Sequence, residues 1–219
     1  ILLVTHWGLE FQYSANEFLF DSGIILNGDL SKIHDLDESK ITEEATHSWY
    51  KNDAPLHPYD GEQEPNYTGF VDGENIDGKG EAVTTKVFNT QGKYSWIKAP
   101  RYNGMPMQVG PLANIVVNFA KGNKFVVPVV EKFLKDTGLP LEAVLSTLGR
   151  TATRMIEAKV IADNGLLAFN NLIANIKSGD TQTCAKYVID KDKEYRGRYI
   201  GHVPRGVLSH WCRIKNGVI

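Results

Sequence analysis

Cysteine is scarce in this chain: Cys184 and Cys212 are its two examples in 219 residues. Neither has a second Cys or a His beside it at metal-ligand spacing, so no recognisable ligand cluster forms around them. Taken alone they read as small, partly buried hydrophobes, and so few leave the redox compartment open. Long apolar runs are missing as well. The opening Ile1-Leu2-Leu3-Val4 is broken at once by Thr5, His6 and Trp7, which excludes a signal peptide or a spanning helix there. With no initiator Met and no polar lead-in, that tetrapeptide reads as a strand cut in its middle. Charge of one sign is not concentrated anywhere: 24 basic and 26 acidic residues give a formal net charge of -2. Without Lys/Arg runs, no nucleic-acid or membrane surface is implied.

What is present is enough apolar residue, 42% against 23% charged, to bury a sizeable core. Residues 1–110 are rich in turn formers and aromatics. Short apolar runs such as Phe18-Leu19-Phe20 and Gly23-Ile24-Ile25-Leu26, the latter ended by Asn27-Gly28, predict short strands and long loops. From Asn52 to Gly92 hydrophobic periodicity disappears, and the segment reads as irregular. Residues 111–178 change character. Pro111 suits a first helical position, and Leu112, Ile115, Val116 and Phe119 follow at helical spacing before Gly122. A second helix begins near Val127-Pro128, with Val130, Phe133 and Leu134 on one face, and stops at Gly138-Leu139-Pro140. From Leu141 to Ile176 the apolar positions Val144, Leu145, Leu148, Ala152, Met155, Ile156, Leu166, Leu172, Ile173 and Ile176 keep the helical period, with Asn164-Gly165 a candidate break. Arg150, Arg154, Glu157 and Lys159 occupy the opposite face, which predicts an amphipathic helical layer.

Residues 179–219 read as a loop and a hairpin. Val207 to Ile214 alternate, and Asn216-Gly217 is the strongest short turn signal available. Because Val218 and Ile219 alone follow that turn, the return strand looks barely begun, and the chain reads as ending in mid-hairpin. The expected class is therefore α+β, with a strand- and loop-rich first half, a helical layer and a C-terminal hairpin.

Three stretches carry more specific information. They are His47-Ser48-Trp49-Tyr50-Lys51; Lys93-Tyr94-Ser95-Trp96-Ile97-Lys98-Ala99-Pro100-Arg101-Tyr102 through Val109-Gly110-Pro111-Leu112-Ala113; and Val203-Pro204-Arg205-Gly206-Val207-Leu208-Ser209-His210-Trp211 with Arg213-Ile214-Lys215-Asn216-Gly217. Together with Leu26-Asn27-Gly28-Asp29-Leu30-Ser31 and Ser146-Thr147-Leu148-Gly149-Arg150, this ordered set resembles the large subunit of nickel-iron hydrogenases of the membrane-associated uptake type. The second stretch is similar to the family's APRY…EVGPLAR block, but Gln108 replaces the usual Glu and Asn114 the frequent Arg. The third is similar to PRG-x-L-x-H-W-x-x-I-K-x-G, and His202 stands where the family commonly has an acidic residue.

The resemblance implies that residues 1–219 are a central portion of one large-subunit domain, lacking both of the family's CxxC ends. It implies a complete enzyme that oxidises H2 reversibly to protons and electrons at a nickel-iron centre with CN and CO ligands on iron. Its thiolate ligands suit such a centre because they are soft and can bridge two metals; this chain supplies none of them, and the 219 residues alone are expected to be inactive. Pro204 and Arg205 inherit the catalytic and cofactor-binding roles. The arginine would lie over the open coordination position and the proline would line the pocket of an iron-bound diatomic ligand. A guanidinium offers a fixed fork of donors and a strong positive field, while its pKa above about 12 makes it a poor base in water.

Apart from the resemblance, an Arg before a Gly at the start of a strand is most often a surface or ion-paired residue. His210 belongs to the same motif and reads as a buried, hydrogen-bonded residue that orients its neighbours, or as a proton relay. The implied partners are an iron-sulfur small subunit and, through it, a membrane cytochrome b; the implied location is periplasmic and membrane-associated. The alternative is a non-catalytic scaffold or subunit-binding paralogue. Gly73-Glu74-Asn75-Ile76-Asp77-Gly78 superficially resembles a calcium loop, but Gly73 and Thr84 stand where that loop needs carboxylates, and a solvated insertion is the better reading. His6, His34 and His57 show no metal or catalytic spacing, and His47 reads as the organiser of a loop.

Overall fold

A computed structural model describes residues 3–5, 12–14, 17–51, 54–61, 64–89, 92–184 and 188–219; of residues 3–5, 12–14 and 17 it describes the backbone. Along the chain run β1 (Leu3–Thr5), β2 (Gln12–Ser14), β3 (Glu17–Phe18), β4 (Gly23–Ile25), β5 (Ile33–His34), β6 (Ile41–Glu44), β7 (Phe70–Ile76), β8 (Ala82–Phe88) and β9 (Ala99–Tyr102). Three helices follow, α1 (Pro111–Ala120), α2 (Val127–Thr137) and α3 (Thr147–Lys177), then β10 (Tyr195–Val203) and β11 (Gly206–Ile214). The α+β class expected from the sequence is the one observed. The chain divides into two compact units, Ile1–Leu36 with Met107–Ile219, and Asp37–Pro106.

The first unit is built on α1. Eight of its residues, Pro111 to Asn118, are buried. Leu112, Ala113, Val116 and Val117 join Ile25 and Val144 in one apolar cluster, and Ile115 joins Leu19, Phe20, Val126, Val130, Ile156 and Val160 in a second. Strand β4, hydrophobic on both faces and buried at all three residues, pairs antiparallel with β1 and β5. The apolar opening therefore does contain a strand, with Leu3 opposite Ile25; Ile1, Leu2, His6 and Trp7 lie outside the described residues.

Helix ends follow their punctuation. Pro occupies the first turns of α1 and α2, and Gly138 closes α2 at φ 66°. A 3-10 turn over Leu141–Leu145 precedes α3, and the hydroxyl of Ser146 caps that helix by accepting from the Gly149 N–H at 3.0 Å.

Helix α3 departs from expectation in two ways. It runs unbroken through Asn164-Gly165, because an interior Gly costs only about 1 kcal/mol and Asn164 donates its side chain to the Val160 carbonyl at 2.8 Å, within the helix. Its buried face is also rotated from the one the apolar period marks. Gly149, Thr153, Ile156, Glu157 and Val160 are buried, whereas Leu148, Met155, Leu166, Leu172 and Ile176 are exposed. Small residues let backbones approach. A Cβ on Gly149 would lie 2.3 Å from the Val144 carbonyl oxygen, so the face that can come closest wins over the greasier one.

The last strands correct a second expectation. The partner of β11 precedes it: β10 and β11 pair antiparallel from Tyr195↔Ile214 to Val203↔Gly206. The ladder groups of residues 206–214 are thus met upstream, and the turn falls at Pro204-Arg205. Asn216 and Gly217, at φ 56° and 76°, make a further small turn closed by Lys215 and Val218.

In the second unit, β6 pairs with β9 and β7 with β8. The latter hairpin lies inside the stretch read as irregular. Its Asp77 carboxylate accepts from the N–H groups of Lys79 and Glu81 at 2.8 and 2.9 Å and closes the turn where the calcium likeness was weighed. Hydrophobic alternation is weak there because both faces of the hairpin are largely exposed.

Candidate functional site

Two of the motif stretches meet in the second unit. The Trp49 N–H donates to the Ser95 carbonyl and the Tyr94 N–H to the His47 carbonyl, each at 2.9 Å. The Trp49 indole N–H donates to the Lys93 carbonyl, and His47 Nδ1 lies 2.9 Å from the Gly92 carbonyl. Around buried Trp49 stand Tyr67, Phe88 and Trp96 at ring-centroid separations of 4.8, 6.3 and 5.1 Å. His47 thus ties one loop to another, as its place in the motif suggested. These contacts tie the two stretches together; among the described residues, His34 and His57 join no group that could hold a metal ion.

The third stretch belongs to the first unit and lies against the end of the second stretch. Pro204 and Arg205 form the two-residue turn between β10 and β11, and both are exposed. The turn rests on the N-terminal boundary of α1. Gly110 adopts φ 98°, and a Cβ there would lie 2.6 Å from the Arg205 carbonyl oxygen; one on Gly206 would lie 3.3 Å from Val109 Cγ2. Gly is required at 110 on both counts, since its backbone conformation and the contact both exclude a side chain.

His210 sits on β11 opposite Tyr199, with ring centroids 6.4 Å apart. It is exposed, which corrects the expectation of a buried residue: its strand position turns the ring away from the α1–α3 core. Cys184 is exposed and Cys212 half-buried, so the small-hydrophobe reading holds for Cys212 and not for Cys184, which lies in a loop.

Beneath the turn is a cluster that sequence patterning missed. Glu157 of α3 accepts from Asn114 Nδ2 of α1 at 2.7 Å and stands 2.9 Å from His202 Nε2 of β10. All three residues are buried. Periodicity assigned Glu157 to the solvent face; the Gly149, Thr153, Val160 stripe of small residues was the available signal for the true one. Nearby, the Arg150 guanidinium donates to Gln108 Oε1 at 2.9 Å and to the Leu145 carbonyl.

Carboxylates with clearly depressed pKa lie elsewhere, at turns. Hydrogen bonds from Ser31, Ser39 and Thr46 side chains hold Asp29, Asp37 and Glu44 below the usual carboxylate range, and the Glu81 and Lys79 N–H groups do the same for Asp77. Among the described residues, no group of three or more His, Cys, Asp or Glu could hold a metal ion. The donors present here do not fit a resident metal centre, and no metal-centred step is assigned to them.

Fold and site together define an α+β protein that presents a Pro-Arg turn against the start of a buried helix. The family model for nickel-dependent hydrogenases matches residues 4–219, and the chain belongs to that family. It is 58% identical over 210 residues to the quinone-reactive Ni/Fe-hydrogenase large chain of Wolinella succinogenes, covering 96% of this chain and 36% of that one. The uptake hydrogenase large subunit of Bradyrhizobium diazoefficiens is 42% identical over 217 residues, covering 93% and 35%. The chain therefore spans about a third of the length of the curated relatives it matches. Among solved structures, a [NiFeSe]-hydrogenase of Desulfomicrobium baculatum matches with a TM-score of 0.67 at 24% identity, covering all of this chain and 40% of that one, a likeness of fold alone.

Proposed function

We propose that this chain is the central portion of one domain of a hydrogenase catalytic large subunit, whose complete form oxidises or produces H2. Electrons would pass to an iron-sulfur small subunit and, through it, to a membrane cytochrome b, with the assembly in the periplasm at the membrane. The quinone-reactive and uptake names of the relatives support that setting. Among the described residues no helix is long and apolar enough to cross a membrane. In the complete enzyme a nickel-iron centre, with CN and CO on iron, would supply a metal pair that accepts hydride.

The observation that carries the reading is the seating of the Pro204-Arg205 turn on Gly110. It offers a guanidinium from a rigid two-residue turn and leaves the head group outside the core. Arg205 would contribute a fixed positive charge and a planar set of donors where proton and hydride separate. Pro204 would wall the same pocket, and His210 would stand behind them as a supporting residue.

The test is the native subunit. Its intact mass should exceed 24.4 kDa, with CxxC pairs in flanking peptides, and the purified complex should reduce a dye with H2. A native mass equal to that of this chain, without H2-dependent reduction, would establish a non-catalytic scaffold instead.

A further inference from the structure

The buried cluster below the Arg205 turn has no role in the chemistry so far described. Glu157 Oε1 accepts from Asn114 Nδ2 at 2.7 Å and lies 2.9 Å from His202 Nε2. These side chains come from α3, α1 and β10, so three elements converge on one atom. The His202 and Glu157 side chains are 3% and 7% exposed. The network continues into α1, where Asn118 Nδ2 donates to Asn114 Oδ1 at 3.2 Å and Asn118 Oδ1 accepts from the Asp21 N–H at 2.6 Å.

A buried carboxylate is costly unless its partners are well placed, and a cluster of this kind contributes definition of geometry more readily than net stability. Its location gives that definition a target. His202 is two residues before Pro204, and its strand partner Val207 follows the turn. Glu157 therefore anchors the root of the turn, while Gly110 supports its tip.

We propose that Asn114, Glu157 and His202 are positioning residues that set the Pro204-Arg205 turn against α1. The proposal rests on the reading of Arg205 as an active-site group. The three act through the backbone of β10. Misplacement of a catalytic group by about 1 Å costs on the order of 100-fold in rate.

The experiment uses the complete large subunit assembled with its small subunit. His202→Glu puts two carboxylates in one buried site and should lower kcat on the order of 100-fold, with KM for H2 and nickel and iron content unchanged. Asn114→Arg added to it supplies a cation beside the two carboxylates and should restore most of the loss, while His202→Gln, which keeps an N–H donor beside Glu157, should stay close to the parent. Amide exchange at residues 203–206 should speed up in His202→Glu and return to the parental rate in the double variant. A His202→Glu enzyme with parental kcat overturns the proposal. So does metal loss in step with activity, or a double variant no better than His202→Glu. A parental complex without H2 turnover counts against the role of Arg205, and the exchange rates at 203–206 then still decide whether the cluster holds the turn.

Discussion

At the scale of single residues, the two features that set the site are a charge and the lack of a side chain. Arg205 is exposed at its turn, so packing in this unit does not demand its shape, and its exchange tests chemistry cleanly. Arg205→Lys keeps the charge and loses the planar fork; in the complete enzyme kcat should fall on the order of 100-fold or more while nickel and iron contents stay normal. Metal loss would make Arg205 structural instead. Gly110 is the opposite case. Its φ of 98° and the 2.6 Å approach to the Arg205 carbonyl oxygen leave no room for a methyl group, so Gly110→Ala should destabilise the fold by about 1–3 kcal/mol. A urea midpoint equal to that of the parent would show that the turn does not press on α1. Both residues were legible as members of motifs. Glu157 was not, because a carboxylate three positions from Arg154 and two from Lys159 looks solvent-facing until the helix it packs against is known.

The elements differ in how fully they were written into the sequence. Helices α1 and α2 carry Pro in their first turns and stop just before Gly122 and Gly138, as read, because those residues act through local backbone geometry. Helix α3 was marked for a break at Asn164-Gly165 that does not occur. A Cβ on Gly165 would meet nothing within 4 Å, so Gly165→Ala should stabilise the protein by about 0.5–1 kcal/mol, chiefly by restricting the unfolded chain. A lower melting temperature in that variant would mean the helix needs a weak point there. The hairpin of β7 and β8 was hidden for another reason: a strand pair exposed on both faces has no alternation to betray it, and its signature is confined to the Asp77 turn. For β11 the turn signal at Asn216-Gly217 was genuine but small, and the long-range partner was β10, which local pattern does not reveal.

For the whole molecule, the decisive quantity is the donor set. Two cysteines, one exposed in a loop and one half-buried in a strand, do not make a nickel-iron site. The 219-residue polypeptide exposed to its maturation system should therefore retain no stoichiometric nickel and give no H2-dependent dye reduction. Turnover by that polypeptide would sink the proposal that its complete form supplies the ligands. The exposed apolar residues of α3, among them Leu148, Met155 and Leu166, are consistent with a chain that covers about a third of its relatives' length.

Sequence by itself determined the class of fold, the helix ends and the family, because these depend on local propensity, periodicity and ordered motifs. Tertiary structure alone decided which face of α3 is buried, which strand partners β11, and that Asn114, Glu157 and His202 share one oxygen beneath Arg205. Those choices compare close approach, apolar burial and polar satisfaction between segments far apart in the chain. No local pattern encodes that comparison; it is settled when the segments pack.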